Sequence, residues 1–524
     1  MAIINLNTIK AFPGAEGFGK TATGGKGGNV IFVTNLNASG AGSLRSALEA
    51  SGARTVIFRV GGTIDLGGGV ISIANPNITI AGETAPGDGI VIKDGSIRID
   101  ASNVIMRHIR FRHSVDPSSQ LRIKGSDPKY SFSIENIIID HCSFAWAEDQ
   151  TWTASISKNV TFQNNIIAHA IKSYLVWASK DVSILNNVTA LVDTRHPTVN
   201  QQQGTYLQYE FINNLVYGFN WGSSHGYGMM GTIENNIYEG SNSFSGTSNT
   251  AITFTAINPD YIGESNIEEL TYLYHSGNVI DGTSITNLIT TPDGSWIKGT
   301  PLYRSTYTPK ATVGLKDSLL SRAGAFWWNR DAVDQNVINH INAKTGTLDK
   351  TVTYPTIASG TPYIDSNNDG ISDSWAATHG ISSASQVKPT YTIGGHTINN
   401  NAGYTALEIF LADMAGDFEL LAGEPSNNIP VITLTGASTI NLNVGDTYTE
   451  LGATATDAED GNITGSIIVT GTVNTAISGT YYKYYNVTDS NSNAAVQVVR
   501  TIIVSEPGAV TNKIGVHKNL FWSI

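Results

Sequence analysis

The chain has 524 residues, of which 40% are hydrophobic, 53 are glycine and one is cysteine. This size allows two to four domains with a sizeable core, and the single cysteine, Cys142, excludes an internal disulfide. A net charge of −12 argues against bulk attraction to nucleic acid or an anionic membrane. No apolar run approaches the roughly 20 residues of a membrane helix. The start, MAIINLNTIKAFPG, has no cleavable signal sequence and reads as a mature start.

Residues 14–21, GAEGFGKT, match the phosphate-loop pattern G-x-x-x-x-G-K-[ST] of nucleotide-binding proteins. A working phosphate loop lies between a buried strand and a helix whose N-terminus faces the phosphates. Here the next residues, ATGGKGG, contain four glycines, and each costs a helix about 1 kcal/mol relative to alanine. No alternation of strands and helices follows. We therefore interpret the segment as a glycine-rich turn and predict no nucleotide site.

Residues 43–51 (SLRSALEAS) form the first predicted helix, with Ser43 as its cap and apolar side chains on one face. Short strand-like runs dominate after it. From residue 136 they repeat as NIIIDHCSF, NVTFQNNII, DVSILNNVT, YEFINNLVY and TIENNIYEG. Their shared polar pairs lie 23, 22, 27 and 22 residues apart, which is the period of one coil of a parallel β-helix.

The polar pairs of the repeat end at Cys142, Asn165, Asn187, Asn214 and Asn236. We expect these positions at the same bend of each coil, because asparagine tolerates left-handed backbone geometry there and its amide can form a ladder with the next asparagine. Their predicted role is structural. Cys142 occupies one such stacked position, so we predict a buried and inert thiol.

The repeat fades after about residue 280, and residues 322–345 and 403–416 have helical character. Between them, DSNNDGISD follows the alternate spacing of oxygen ligands in calcium loops, with Gly370 at the sharp turn. A structural Ca²⁺ is predicted there, and a plain Asx-rich turn is the alternative. Its predicted ligands are Asp365, Asn367, Asp369 and Asp373.

The composition changes in the last fifth of the chain. EPSNNIP at residues 424–430 indicates a linker, and evenly spaced alternating strands over 431–505 indicate an immunoglobulin-like β-sandwich. The predicted organisation is a β-helix domain over 1–345, an extension with the calcium-loop motif and a helix over 346–423, the linker, the sandwich, and a tail over 506–524.

Side chains from neighbouring coils of a parallel β-helix converge on one outer groove. Several polar residues of the repeat region are not needed for coil packing, and their mix of carboxylates and bases fits a cation-bridged anionic substrate. A structural role stays open for some of them: Asp140 and His141 as a buried hydrogen-bonded pair, Lys172 as a solvated strand residue, and Asp149 as a turn residue. The candidates are Arg110, Arg112, Asp127, Asp140, Glu148, Asp149, Lys172, Arg195 and His196.

Eight motifs occur in one order along residues 8–420: AFPGAEGFGKTATGGKGG, SGAGSLRSAL, TIAGETAPGDGI, IIDHCSFAWAEDQ, NWGSSHGYG, RDAVDQNVI, DSNNDGISDSW and GYTALEIFL. In these motifs the chain resembles the bacterial pectate lyases of polysaccharide lyase family 1, in the form of Bacteroidetes-type secreted enzymes. The resemblance implies an all-β fold, a right-handed parallel β-helix capped by the N-terminal helix. It also implies a monomer that is secreted, periplasmic or on the surface of a bacterium, with no nucleic-acid partner and no membrane insertion.

The implied reaction is calcium-dependent β-elimination on an acidic, uronate-containing polysaccharide, pectate (polygalacturonate) in the first instance, to give unsaturated oligosaccharides. Arg195, in RHP, resembles the family's base in its R-x-P motif. Because arginine is normally protonated, Arg195 could instead stabilise charge while Lys172 acts as the base. The implied ligands of a catalytic Ca²⁺ are Asp127, Glu148 and Asp149. The expected substrate contacts are Lys172, His196, Asn200 and Arg112.

The sequence departs from the family pattern in two places. A second arginine commonly follows the first, and here Thr198 and Asn200 occupy those positions, so a different uronate polymer stays open as the substrate. The acid pair after the tryptophan is Glu148-Asp149 instead of Asp-Glu, and both can ligate calcium. A β-helix glycoside hydrolase also stays open, although it needs carboxylates at hydrolase spacing, and so does a non-catalytic carbohydrate-binding protein.

Overall fold

Three β-sheets wind through the first half of the chain, and their strands are parallel except for the last pair, β28 (Val279–Ile280) and β29 (Thr283–Ser284). The computed structural model describes residues 2–114, 119–126, 132–200, 207–225, 229–241, 252–254, 272–281, 283–284, 298–301, 304–422, 430–457, 461–488, 495 and 497–506. The chain divides into two compact units, Met1–Ala422 and Gly423–Ile524. Apart from Glu506, the predicted tail lies outside the described residues.

The three sheets run side by side along the coil. The first sheet contains β2 (Asn29–Val33), β3 (Arg54–Phe58), β6 (Ile78–Ala81), β9 (Val104–Arg107), β12 (Ile134–Asp140), β15 (Ser157–Gln163), β18 (Lys180–Leu185), β21 (Leu207–Ile212), β24 (Met229–Glu234) and β27 (Tyr272–Ser276). The second sheet contains β4 (Gly62–Asp65), β7 (Ile90–Lys93), β10 (Ile109–Ser114), β13 (Ser143–Ala147), β16 (Ile166–Ala168), β19 (Val188–Ala190), β22 (Leu215–Tyr217), β25 (Ile237–Glu239), β28 (Val279–Ile280) and β29 (Thr283–Ser284). The third sheet contains β5 (Val70–Ile73), β8 (Ser96–Ile99), β11 (Ser119–Lys124), β14 (Gln150–Ser155), β17 (Lys172–Trp177), β20 (Thr198–Asn200), β23 (Ser223–His225) and β26 (Ile252–Phe254). The predicted all-β parallel β-helix is confirmed.

The interior of the coil is apolar because the inward side chains of each strand lie directly on those of the next coil. Val160 and Val182 are paired in register on the first sheet, and both are fully buried. On the second sheet, the rings of Phe111 and Phe144 stack with centroids 4.8 Å apart, which is the spacing of neighbouring strands. Each coil therefore covers the apolar face of its neighbour, and no coil could bury that face alone.

The asparagine ladder runs along the bend between the first and second sheets. Asn165 Nδ2 donates to Asn187 Oδ1 at 2.9 Å, and the same bond repeats in the following coils. Asn164 and Asn186, which precede two ladder residues, have left-handed φ angles of 57° and 56°. The Cys142 thiol is buried. The predicted ladder and the predicted burial of the thiol are confirmed. The ladder extends one coil beyond the repeat seen in the sequence, and its members are Asn165, Asn187, Asn214, Asn236 and Asn278.

The GAEGFGKT segment lies against the outer face of the first sheet. Its end, Phe18–Thr21, forms a 3₁₀ turn. The Gly19 N–H donates to Thr161 Oγ1 at 2.8 Å, and the Phe18 N–H donates to Ser183 Oγ at 2.9 Å. A Cβ on Gly19 would lie 2.2 Å from the Ile137 carbonyl oxygen. The predicted glycine-rich turn is confirmed, and its backbone N–H groups bind the coil.

The helices lie mainly outside the coil, and the first covers its N-terminal end, where Ser43 caps it by accepting from the Ser46 N–H at 3.2 Å. They are α1 (Leu44–Glu49), α2 (Leu315–Arg322), α3 (Ala332–Ala343), α4 (Asp373–His379), α5 (Ala406–Met414) and α6 (Asp417–Leu421). The expectation of one helical stretch over 322–345 is wrong at its start, because Arg322 ends α2 and α3 begins at Ala332. Between them, Gly324 has a φ of 89° and the Phe326 ring contacts His108.

A small sheet joins the N-terminus to the segment after the coil. It contains β1 (Ile3–Asn5), β31 (His396–Asn399) and β30 (Thr390–Ile393), with β1 and β31 parallel. Ile4, Ile398 and Phe418 are buried in the core beneath it. Residues 346–422 therefore lie in the same compact unit as the coil.

The second unit consists of two short sheets around Ile432, Ala455, Tyr485 and Val487. One contains β32 (Val431–Leu434), β34 (Ala453–Asp457) and β35 (Gly461–Asn462). The other contains β33 (Thr439–Asn443), β38 (Val498–Ser505), β37 (Gly479–Asn486) and β36 (Ile468–Thr470). Across the described residues of both units, no helix has the length and apolarity needed to cross a membrane.

Candidate active site

Charged side chains from successive coils lie where the backbone turns from the second sheet into the third. Because neighbouring coils are about 4.8 Å apart, residues stacked at this corner lie within reach of one extended ligand. Lys172 begins β17, pairs in register with Gln150, and forms a bridge with Thr194. We call this group the corner site, and it consists of Asp94, His113, Glu148, Asp149, Lys172 and Arg195.

Ion pairs and hydrogen bonds connect five members of the corner site in two groups. Lys172 Nζ donates to Asp149 Oδ1. His113 lies between two carboxylates, with Nδ1 2.5 Å from Asp94 Oδ1 and Nε2 3.4 Å from Glu148 Oε1. The side chains of Glu148, Asp149 and Lys172 are 60%, 33% and 30% exposed, so a ligand in solvent can contact them.

Arg195 lies one coil beyond Lys172 and has a left-handed φ of 69°. Its carbonyl oxygen accepts from the Tyr174 N–H at 3.0 Å and from Ser173 Oγ, and these bonds hold the strained backbone in place. Partial burial lowers the pKa of Arg195 below its ordinary value, while attraction to Asp149 opposes that change. An arginine must have a lowered pKa before it can accept a proton from a substrate.

The prediction that Arg112 and His196 bind substrate disagrees with their burial. Arg112 is completely buried, and its Nη2 lies 2.9 Å from Asp331 Oδ2 and 2.7 Å from Asp334 Oδ1. Because a buried guanidinium needs charged partners, Arg112 holds α3 onto the second sheet. His196 is also fully buried, with Nε2 3.1 Å from the Val192 carbonyl, and burial lowers its pKa to about 3.

Two predicted residues remain, Asp127 and Asn200. Asp127 lies outside the described residues. Asn200 ends β20 and is paired with Trp177, at the opposite end of the strand that begins with Lys172. Thr198, at the other position where the family carries its second arginine, is paired with Leu175. The structure therefore brings Lys172, Arg195, Glu148 and Asp149 together and leaves Asn200 apart.

Asp140 and His141 lie inside the fold, with His108 beside them. Among the described residues, these three form the one group of His, Cys, Asp or Glu whose ligand atoms lie within 4.8 Å of one another. Asp140 already accepts hydrogen bonds from Arg107, His141, Gln163 and Asn164. Four donors saturate a carboxylate, so we assign the group a structural role. Burial raises the pKa of Asp140, but the charges of His141 and Arg107 outweigh it and keep the pKa below its ordinary value.

The oxygen atoms at the corner site match the preference of calcium for carboxylates. Glu148 and Asp149 are neighbours in the chain and both are accessible. Asp94 lies close by, but it accepts hydrogen bonds from His113 and Tyr354. These residues fit a cation that a substrate carboxylate would also ligate. Asp94, His113 and Tyr354 were missed by the sequence analysis, and Tyr354 is 260 residues from its partner Asp94, a separation that no local pattern reveals.

The predicted calcium loop forms a tight turn, and Gly370 has a φ of 93° as the sharp turn requires. Asp365 Oδ2 accepts from the Gly370 N–H at 2.9 Å and from Arg59. The Asp369 N–H donates to Asp365 Oδ1 at 3.1 Å. Asp373 accepts from the Ser366 N–H at 3.0 Å. The loop presents oxygen ligands of the kind that Ca²⁺ takes, while Arg59 supplies a positive charge to Asp365.

Comparisons with known proteins show what the chain is similar to. Residues 432–504 match the family model described as bacterial surface protein, Ig-like domain. The chain is 32% identical over 387 residues to the probable pectate lyase C of Neosartorya fischeri, covering 70% of this chain and 87% of that protein. It is 37% identical over 263 residues to the probable pectate lyase C of Aspergillus flavus, covering 49% and 59%.

Among solved structures, a pectate lyase from Bacillus sp. N165 in complex with trigalacturonate matches with a TM-score of 0.42 and 17% identity, covering 60% of this chain and 99% of that one. The sequence relatives define the class of protein, and the chain belongs to the pectate lyase family. It is a polysaccharide lyase with a C-terminal Ig-like domain. The glycoside hydrolase and the non-catalytic binding protein that the sequence left open are therefore set aside.

Proposed function

We propose that this lyase cleaves polygalacturonate by calcium-dependent β-elimination at the corner site. The observation that carries the proposal is the stack of Asp149, Lys172 and Arg195 on adjacent coils, which puts one carboxylate and two cations beside each other on an accessible surface. An acidic polymer needs local positive charge to bind a chain whose net charge is −12.

The reaction removes the proton on C5 of a uronate, next to its carboxylate. The electron pair of that C–H bond forms a C4–C5 double bond, the C4–O glycosidic bond breaks, and the leaving oxygen takes up a proton. Lys172 donates to the uronate carboxylate, and Arg195 accepts the C5 proton; in the alternative, Lys172 accepts that proton and Arg195 stabilises the charge that develops. Glu148 and Asp149 would hold the calcium ion, whose positive charge would stabilise the developing enolate.

The test is a panel of uronate polysaccharides, assayed for the ultraviolet absorbance of unsaturated products with and without a chelator. Polygalacturonate with Ca²⁺ is expected to give the fastest rise. Replacing Arg195 by alanine removes the base or its charge, and we expect a loss of about 10²- to 10⁴-fold in rate. Lys180→Ala is the matched control, since it removes one half-buried lysine from the first sheet. Full activity of Arg195→Ala would contradict the assigned role.

A different uronate polymer is the second candidate substrate. The observation that favours it is the pair Thr198 and Asn200, which occupy the positions of the family's second arginine and lack its charge. Faster product formation on another uronate polymer of the same panel would select this candidate. No absorbance rise on any uronate polymer would contradict both.

A second calcium ion at residues 365–373 is part of the proposal. Support comes from the ligand spacing and from the left-handed Gly370 that closes the turn. We expect a chelator to lower the thermal midpoint of the parent protein by more than that of an Asp369→Asn variant, which keeps only the calcium ion of the corner site. Equal responses would contradict calcium at this loop. The match to a bacterial surface Ig-like domain supports action outside the cell or at its surface.

A further inference from the structure

A second group of charged side chains lies at the far end of the third sheet. Arg98, Asp100, Arg122, Lys124 and Trp177 line one shallow groove there, which we call the distal groove. The strand β17 begins at the corner site and ends at this groove. Its six residues span about 17 Å, so the two regions lie at opposite ends of the same strand.

The distal groove stacks like charges on neighbouring coils. Arg98 and Arg122 occupy directly paired positions on β8 and β11, an arrangement that is unfavourable for two cations. Asp100 offsets part of this repulsion, because its Oδ2 accepts a hydrogen bond from Arg98 Nε at 2.7 Å. Among the described residues, no carboxylate lies within ion-pair distance of Arg122 or Lys124. The groove therefore keeps an unneutralised positive charge on a protein whose net charge is negative.

Trp177 adds an apolar surface to these charges. Lys124, Ser155 and Trp177 are in register on three adjacent strands, and Trp177 is half-buried along the groove. An indole offers a broad apolar face with a polar edge, which suits the face of a sugar ring. Exposed cations beside it suit carboxylates spaced along a chain. Together these groups match the chemistry of an acidic polysaccharide.

We propose that the distal groove binds a second stretch of the acidic polysaccharide chain that the corner site cleaves. This inference rests on the proposed function for the identity of the polymer. A chain that contacts both regions is held at a high effective concentration over the corner site. Affinity should consequently grow with chain length once the chain spans about 17 Å along the third sheet.

The test compares KM and kcat on galacturonate oligomers of increasing length and on polygalacturonate. The variant Arg122→Gln/Lys124→Gln removes the two unpaired charges. Its KM for the polymer is expected to rise about three- to thirtyfold, the range for two partly exposed charge contacts, with kcat and the shortest cleaved oligomer unaffected. Lys20→Gln/Lys26→Gln is the control, since it removes two charges from the N-terminal segment, which packs on the first sheet.

Two further measurements make the outcome decisive. Thermal midpoints verify folding, and Arg122→Lys/Lys124→Arg, which keeps both charges, is expected to restore the KM. An unchanged KM in an active Arg122→Gln/Lys124→Gln variant would refute polysaccharide binding at the distal groove and leave the proposed function intact. If the parent protein does not cleave polygalacturonate, the proposed function fails. The distal groove is then tested by the retardation of the protein in a gel that contains polygalacturonate. Retardation lost only in the Gln variant supports the groove, and equal or absent retardation overturns it.

Discussion

Glu83 gives the sharpest stability prediction, because among the described residues no other residue donates a hydrogen bond to its buried carboxyl. It is 2% exposed and lines a cavity of about 170 Å³ beside Phe12 and Leu411. Burial raises its pKa to about 7, although the charge of Arg107 opposes the shift, and the carboxylates of Asp417 and Asp140 add to it. The folded protein therefore holds this proton more tightly than the unfolded chain does.

The raised pKa of Glu83 makes the stability of the folded protein depend on pH. The pKa is 4.5 in the unfolded chain and about 7 in the folded protein. The stabilisation is complete below pH 4.5 and is lost as the pH rises through about 7. A shift of this size corresponds to about 3 kcal/mol at pH 9. For a unit of 422 residues, an unfolding entropy of about 2.1 cal/mol/K per residue converts this to a shift of about 3 °C in the thermal midpoint.

Glu83→Gln removes the titrating group and keeps its shape. We expect the variant to match the parent protein within about 1 °C at pH 5 and to unfold about 3 °C higher at pH 9. Differential scanning calorimetry between pH 5 and pH 9 measures both midpoints. Glu49→Gln, on the exposed end of α1, serves as a control that should leave the pH dependence unchanged. Parallel pH profiles for Glu83→Gln and the parent protein would refute the reasoning.

Three other substitutions test the packing of the coil and of the segments that lie on it. Arg112→Ala removes the cation that donates to Asp331 and Asp334 and leaves them only the longer contacts to Arg110 at 3.7 and 3.9 Å, so we expect a loss of about 3 kcal/mol in urea unfolding; a loss below about 1 kcal/mol would contradict the buried pair. Asn187→Ala breaks the ladder on both sides, and a loss of about 3 kcal/mol is expected by the same method; an unchanged midpoint would show that the ladder contributes nothing. Gly19→Ala inserts a Cβ where the Ile137 carbonyl lies 2.2 Å away, so we expect the thermal midpoint to fall by several degrees; an unchanged midpoint would contradict the close packing of this turn.

Much of the fold follows from local sequence pattern. The spacing of the asparagine pairs predicts the coil because each coil repeats the same bend, and a residue such as Asn187 needs a neighbour one period away. The helix after Ser43 also follows from its cap and apolar face. The break between α2 and α3 does not, since it depends on the packing of Phe326 against His108, which lies 218 residues earlier in the chain.

The candidate site divides in the same way. Lys172, Arg195, Glu148 and Asp149 could be proposed from motifs, because successive coils stack residues of similar position in the repeat. Arg112 could not be separated from them by sequence, since an arginine in a strand faces either solvent or a buried partner. The partner is supplied by Asp331 and Asp334, at the start of α3 and far along the chain.

The sequence by itself determined the architecture of this protein, because a periodic pattern of apolar strands and asparagines is satisfied only when coils stack. The tertiary structure alone decided which charges are accessible. Burial is set by segments that pack onto the coil from far along the chain: α3 encloses Arg112, and Tyr354 reaches Asp94. The coil also sets the distance between the corner site and the distal groove, because β17 begins at the first and ends at the second.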